Sequence, residues 1–332
     1  MNRDNSSLAY AELQPQDFLE ALEDLGFRCN GRLLALNSYE NRVYQIGIDD
    51  DDAVVAKFYR PNRWSDAAIL EEHGFTAELR DQEIPVVAPM VIHGTTLHKV
   101  GDFRVAVYPS RGGRAPDLDN FELLEQLGRF VARIHLVGAT GQFRHRPGID
   151  IDSYAIDSME YLLEHDFIPA ELLPAYESVA QNVIDGVEAS FDRTGDATQL
   201  RIHGDFHPGN VLVAGEQLHI VDFDDTRSGP AVQDLWMFLS GDRAEQLPQL
   251  SALLDGYTQF RDFDARELHL VEALRSLRIM HYAAWLARRW DDPAFKHAFP
   301  WFDSHRYWED HVLALREQLA LMQEQPLEWR PY

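Results

Sequence analysis

An aspartate, an asparagine and a second aspartate stand in this chain at a spacing suited to phosphoryl chemistry. Asp205 lies five residues before Asn210 in Arg201-Ile-His-Gly-Asp-Phe-His-Pro-Gly-Asn210, and Asp222 follows the apolar run Leu218-His-Ile-Val221. A carboxylate at Asp205 would accept or orient the proton of an attacking hydroxyl. Asn210 and Asp222 offer the hard oxygen donors that magnesium takes from a protein when it also binds ATP phosphates. The expected cofactor is therefore Mg2+, with ATP as co-substrate. Asp and Asn also cap turns in many loops; it is the third group, in order and at the end of an apolar run, that favours chemistry.

Other side chains fit around that core. Lys57, in Val54-Val-Ala-Lys57, projects from an apolar strand, where a cation is costly unless phosphate or carboxylate partners it. Glu72 is the favoured partner, because Ile69 and Phe75 share its side of the next helix; Glu71 stays open. Asn37-Ser-Tyr-Glu-Asn-Arg-Val43 sits where a Gly-rich phosphate loop is expected but has no glycine. Ser38 is the candidate ATP contact there, with an ordinary turn residue as the plain alternative. Tyr108 and Pro109 offer backbone groups to an adenine edge, and Gly112-Gly113 reads as a hinge or a flexible turn. Asp234 either caps a helix or braces the loop around Asp205. Asp224 and Asp225 read as a solvated or salt-bridged continuation.

His203 and His207 flank Asp205, and a His-x-Asp-x-His run can hold a transition metal. No cysteine or separate carboxylate–histidine cluster completes a tetrahedral set, so these imidazoles are read as bracing the loop. The late aromatics, Trp285, Trp290, Trp301, Phe302 and Trp308, read as core. Arg275, Arg278, Arg288 and Arg289 either face an acidic acceptor or pair with the chain's own carboxylates.

These groups need a scaffold. The runs 42–48 and 53–59, split by Asp49–Asp52, predict a hairpin. Ser65-Asp66 predicts a helix start, with Ile69, Leu70, Phe75 and Leu79 at helical spacing. Residues 103–108 read as a further strand, and 109–116 as a turn-rich connector. Beyond it, helices are expected at 124–134, 154–163, 174–187, from Val232 onward and at 268–289. They are interrupted by a short hairpin, 211–213 and 218–221, about Gly215. The first ~110 residues thus read as strand-rich with one helix. The expected fold class is α+β, with a small β-rich N-terminal nucleotide-binding lobe (1–110) and a larger, mainly helical C-terminal catalytic and substrate lobe (111–332).

Composition narrows the partners. The chain has 332 residues and a formal charge of −25, which argues against a nucleic-acid binder or docking on anionic lipid. One cysteine, Cys29, allows no intrachain disulfide and fits a reducing compartment. There is no signal-peptide core and no apolar run of membrane-spanning length. A cytoplasmic monomer acting on a soluble acceptor is expected, with no nucleic acid and no membrane as partners.

The segments His203-Gly-Asp-Phe-His-Pro-Gly-Asn210 and Val221-Asp-Phe-Asp224 resemble the aminoglycoside phosphotransferase and choline kinase superfamily, which has the two-lobe protein-kinase-like fold. Leu36-Asn-Ser-Tyr-Glu-Asn-Arg-Val-Tyr44, Lys57-Phe-Tyr-Arg-Pro61, Gly229-Pro-Ala-Val-Gln-Asp-Leu-Trp236 and Asp291-Asp-Pro-Ala-Phe295 are similar to the bacterial stress response kinase A family. The resemblance covers most of the chain. It implies a cytoplasmic, Mg-dependent serine/threonine protein kinase of envelope and oxidative stress. On that resemblance Asp205 is the proton acceptor, Asn210 and Asp222 bind magnesium and Ser38 touches ATP. Gly204 replaces the Arg of the His-Arg-Asp motif, and Asp224 replaces the Gly of Asp-Phe-Gly. With no Gly-rich loop and no obvious activation segment before Asp234, no phospho-switched loop is expected. Two rivals stand beside this reading: a kinase of small alcohols such as choline, homoserine or an aminoglycoside-like sugar, and a nucleotide-binding scaffold without transfer.

Overall fold

The computed structural model describes residues 13–36, 38–101 and 103–329. Residues 1–12, assigned above to the N-terminal lobe, and Asn37 lie outside the described residues. Contacts divide the chain into two compact units: 1–117 with 140–146 and 207–226, and 118–139 with 147–206 and 227–332.

The first unit is built on a five-stranded antiparallel sheet of β1 (Cys29–Ala35), β2 (Arg42–Ile48), β3 (Val54–Phe58), β4 (His98–Val100) and β5 (Phe103–Pro109), in the order β1-β2-β3-β5-β4. The expected hairpin is β2–β3, with Val43 opposite Lys57 and Ile46 opposite Val54. Strand alternation sorts its faces. Ile46, Ile48, Val54, Ala56, Phe58, Val105 and Val107 bury one face against helix α1 (Pro15–Asp24) through Phe18, Ala21 and Leu22. On β3 and β5, Lys57 and Ala106 form a register pair on the other face. The expectation of a single helix in this region is corrected: α1 precedes α2 (Asp66–Asp81). Helix α2 starts where the cap predicted, with the Ser65 hydroxyl accepting the Ala68 N–H.

Strands β7 (Val211–Ala214) and β8 (Gln217–Ile220) form the second expected hairpin, turning through Gly215 at φ 62°. Backbone bonds hold it from several directions. Val87 N–H donates to Ile220 O, Ile220 N–H to Pro85 O, and Arg114 and Val213 exchange two bonds. Gly113 is a close-approach glycine, since a Cβ there would lie 2.8 Å from the Leu212 backbone.

The second unit is mainly helical: α3 (Phe121–Gly138), α4 (Asp157–Glu164), α5 (Leu173–Thr194), α6 (Gln233–Trp236), α7 (Arg243–Tyr257), α8 (Val271–Arg288), α9 (Pro293–Ala298) and α10 (His305–Gln323). A short ladder joins β6 (Leu200–Ile202) to β9 (Arg227–Gly229). Phe302 and Trp308 are fully buried, as expected of core aromatics, whereas Trp301 is exposed. Helices α3 and α7 cross backbone to backbone. A Cβ on Gly128 would sit 1.9 Å from Leu253 O, and one on Gly256 1.9 Å from Glu125 O.

No side chain fits that crossing without parting the helices. Gly128→Ala should therefore cost about 2 kcal/mol or more, read as a lower urea unfolding midpoint against a Gly215→Asn control in the exposed turn.

Candidate active site

In the first unit, a cavity of about 410 Å³ is walled by Leu36, Val43, Val55, Val87, Leu212 and Phe223. Its polar lining includes Ser38, Lys57, Glu72, Asn210 and Asp222. Five of the six candidate site residues thus share one cavity. Tyr108, Pro109 and Gly112 line it as well. An apolar slot with a few convergent polar groups suits a base joined to phosphates. The Ser38 hydroxyl accepts the Asn41 N–H at 3.4 Å, so it both lines the cavity and holds its own turn.

Asn210 ends a one-turn 3-10 helix, Pro208–Asn210, and its carbonyl accepts the Val221 N–H at 3.0 Å. That bond brings the asparagine beside the strand exit that carries Asp222. Asp222 itself has φ 60° and ψ 67°. A left-handed aspartate is uncommon and is tolerated best by Asn, Asp and Gly. It turns the chain out of β8 into a second 3-10 turn, Phe223–Asp225.

Lys57 is 6% exposed and meets Asp224 at 2.9 Å and Asp222 at 3.3 Å. Burial opposes its charge, but Asp224, Glu72 and Asp222 overcome this and hold it protonated above the ordinary lysine range. The direct Lys57–Glu72 pair expected from the sequence is a correction. Glu72 pairs with the Arg146 guanidinium at 2.8 Å and acts on Lys57 through space. The reason is the segment 140–146, which packs onto α2. Glu71 accepts the backbone N–H groups of Arg144, His145 and Arg146 at 2.8–3.1 Å, so both neighbouring glutamates grip the same segment.

Asp224 takes the salt-bridged of the two readings given for it. It is buried at 4% exposure, paired with Lys57 and Arg63, and accepts from Asn41 Nδ2 at 3.1 Å. Burial works against its charge, yet Arg63 and Lys57 bring its pKa down to about 2. Arg63 also reaches Asp225 at 2.8 Å. Asn41, Arg63, Arg146 and Asp224 are the site residues that sequence reasoning missed or undervalued. Their signal was weak, since burial of a charged side chain is not visible locally. Under the slot, His73 Nε2 meets the Tyr59 hydroxyl at 2.9 Å and its Nδ1 meets Thr96 Oγ1 at 2.8 Å. Burial, then Lys57 and Arg146, lowers the His73 pKa to about 3.

Asp205 belongs to the second unit, in the loop that leaves β6. Asp234 braces this loop. Its carboxylate accepts the N–H groups of His203 and Gly204, both at 2.8 Å, and faces His135 Nε2 at 3.1 Å. Gly204 takes φ 84°, and Gln233 Nε2 donates to its carbonyl. The Asp205 carboxylate pairs with Arg278 of α8. His207 folds back on its own turn, its Nδ1 accepting the Gly209 N–H. Among the described residues, no group of three or more His, Cys, Asp or Glu side chains could hold a metal. The oxygen donors of Asn210 and Asp222 suit magnesium, which takes one or two protein ligands and completes its shell with phosphate and water.

The sequence model of the phosphotransferase enzyme family (APH) matches residues 32–271. Stress response kinase A of Escherichia coli (strain K12) is 42% identical over 327 residues, 98% of this chain and 99% of that protein. The serine/threonine protein kinase RdoA of Salmonella typhimurium is 40% identical over the same shares. Among solved structures, an amicoumacin kinase in complex with AMP-PNP, Ca2+ and Ami aligns at TM-score 0.74 and 19% identity, covering 96% of both chains. A microcompartment-associated aminopropanol kinase aligns at TM-score 0.70 and 18% identity, covering 93% of this chain and 97% of that one.

Two outcomes follow from the charges. Asp224→Ala removes the buried anion that Lys57 and Arg63 share, leaving them Asp222 and Asp225, and should cost about 3 kcal/mol in chemical unfolding. The His73 pKa is lower folded than unfolded, so its share of stability is complete above pH 6.5 and is lost as pH falls toward 3. Asp224 adds its own loss only below 3.8, toward about 2. Unfolding midpoints measured from pH 7 to 3 should fall, and His73→Asn should flatten the decline between 6.5 and 4.

Proposed function

The chain belongs to the phosphotransferase enzyme family, together with the stress response kinases A, and from that membership we propose that it transfers the γ-phosphoryl group of Mg-ATP to serine or threonine hydroxyls of a protein. The observation that carries the reading is the single cavity lined by Ser38, Lys57, Asn210 and Asp222 in a chain alike to those kinases over nearly its whole length. The serine/threonine acceptor is supported by the name of the Salmonella relative. No described helix is long and apolar enough to cross a membrane. The reading includes a cytoplasmic, monomeric enzyme.

On this reading the first unit binds the nucleotide and the second carries the acceptor. The slot between Leu36, Val43, Val55 and Leu212 takes the base, with Ser38 and Lys57 on the phosphates. Asn210 and Asp222 hold the metal, which when bound neutralises charge on the β- and γ-phosphates. Asp205 takes the proton as the acceptor oxygen bonds to the γ-phosphorus and the bond to ADP breaks. Asp234 positions the loop of Asp205. Glu72 serves through Arg146 and the field at Lys57.

A second reading has one observation of its own. The solved relatives include kinases of small alcohols such as aminopropanol, so the same core can serve a metabolite.

Radiolabel transfer from γ-labelled ATP and magnesium to a protein acceptor decides between these. Label on serine or threonine is expected, with Asp205→Ala lowering turnover about 10²–10⁴-fold while fluorescent ADP analogue still binds. Asp222→Asn, which keeps the left-handed backbone, should lose turnover and weaken the magnesium dependence. ADP release stimulated only by a metabolite pool, with no protein label, would move the assignment to a small-molecule kinase. Full turnover in Asp205→Ala would remove the aspartate's assigned role.

A further inference from the structure

Helix α8 is a charge anomaly. In a chain of net charge −25, residues 273–290 contain no Asp or Glu, yet they include Arg275, Arg278, Arg288, Arg289 and His281. The structure divides their tasks. Arg275 pairs with Glu272 at 3.1 Å and lies over the Trp236 ring at 5.0 Å, so it serves packing. Arg278 is half-exposed and paired with Asp205.

Arg278, Tyr282, Trp285 and Arg289 recur at spacings of four, three and four, which puts them along one helix face. Tyr282 stacks on Trp285 with ring centroids 5.6 Å apart, and the Arg289 guanidinium covers Trp285 at 5.0 Å. Arg288 lies beside this stripe, over Tyr161 at 5.0 Å, and is exposed. Beyond the helix, Asp292 is engaged in capping α9 through the Ala294 N–H. Ten residues of helix span about 15 Å, the reach of roughly four to five extended residues.

We propose that this face of α8 is a docking track for an acidic segment of the protein acceptor, with Arg278 as its first contact. The inference rests on the reading of Asp205 as the proton acceptor of a protein kinase, and it names the class of acceptor. The stripe combines the exposed Arg278 and the half-buried Arg289, which also donates to the Trp285 carbonyl at 3.1 Å, with flat aromatic surface, the pairing that favours carboxylate-bearing peptide. The chain's net charge of −25 disfavours such a segment over the surface as a whole, and a basic patch biases where it lands. The pair with Asp205 gives Arg278 a second part. When a carboxylate flanking the acceptor hydroxyl arrives, Arg278 turns to it and Asp205 is released to meet the hydroxyl. An acceptor without that carboxylate leaves the pair closed.

The test uses the full-length chain and serine peptides flanked on both sides by Glu, Gln or Lys. Kinetics are followed by label transfer. Binding is followed separately by fluorescence anisotropy of the Glu peptide with its serine replaced by alanine. Wild type should show a KM for the Glu peptide about tenfold below that for the Gln peptide. Arg278→Gln should erase that difference, and Arg278→Glu should shift preference to the Lys peptide. Arg288→Glu with Arg289→Glu, remote from Asp205, should raise KM for the Glu peptide by more than it lowers kcat. Circular dichroism melts check that these substitutions leave the fold intact.

Equal KM for all three peptides in wild type, or an acidic preference that survives in Arg278→Glu, overturns the track. If no peptide is labelled but the alanine peptide binds wild type and not Arg278→Glu, the track stands and the serine acceptor reading falls. If none is labelled and the alanine peptide does not bind, the track falls with it.

Discussion

The buried cluster of Lys57, Asp224 and Arg63 is the constraint on which the nucleotide-side architecture depends. Each of these charges is costly away from water, and together they are tolerable only while paired. Asp224 is the shared anion, facing Lys57 at 2.9 Å and Arg63, with Asn41 closing the set. The cluster therefore ties strand β3, the chain following it and the turn after β8 into one unit. Arg146 extends it by donating to the Asp224 carbonyl at 2.5 Å and the Ala68 carbonyl at 2.8 Å while pairing with Glu72. A pocket built for polyanions in a strongly acidic chain needs cations fixed in place. The cluster fixes them with carboxylates that lie behind the cavity as well as in it.

That arrangement separates this site from the Asp-Phe-Gly pattern of eukaryotic-type protein kinases. The glycine position is taken by Asp224, and the carboxylate it adds is structural, anchoring the lysine. The left-handed turn sits at Asp222 itself, so the chain bends at the candidate metal ligand. Lys57 keeps a carboxylate partner within its own unit, although that partner differs from the helix glutamate expected of it. The loss of a Gly-rich loop is met by the turn around Ser38 and Asn41, which is held by side-chain bonds to Arg60 and Asp224.

Much of this was legible because local rules governed it. The β2–β3 hairpin followed from alternating apolar runs split by acids, and α2 from a serine cap with apolar spacing. The β7–β8 hairpin followed from its central glycine, and the spacing of Asp205, Asn210 and Asp222 was visible directly. Helix α1 was missed because its buried anchors, Phe18, Ala21 and Leu22, are few and stand within a polar, acidic stretch. Strand β1 was missed because Asn30-Gly31-Arg32 breaks the alternation, and its register with β2 shifts between Cys29 and Leu33. The choice between Glu71 and Glu72 turned on the segment 140–146, far along the chain, where no helical periodicity points. Asp224 stayed open between solvated and salt-bridged because the two cations that pair with it, Lys57 and Arg63, come from elements more than 150 residues earlier.

The bracing of the 203–205 loop by Asp234 has a consequence for how such enzymes diversify. Asp234 grips main-chain N–H groups, which every non-proline residue supplies, so apart from Gly204, whose φ of 84° favours glycine, the loop's position is insulated from side-chain changes along it. The exposed face of α8 contributes nothing to that grip. Substitutions there other than at Arg278, which pairs with the Asp205 carboxylate, leave that main-chain grip in place. On the roles proposed for Asp205 and α8, Arg278 is the one point where selectivity and reactivity meet, and the rest of that face is free to drift among descendants while the braced loop is inherited.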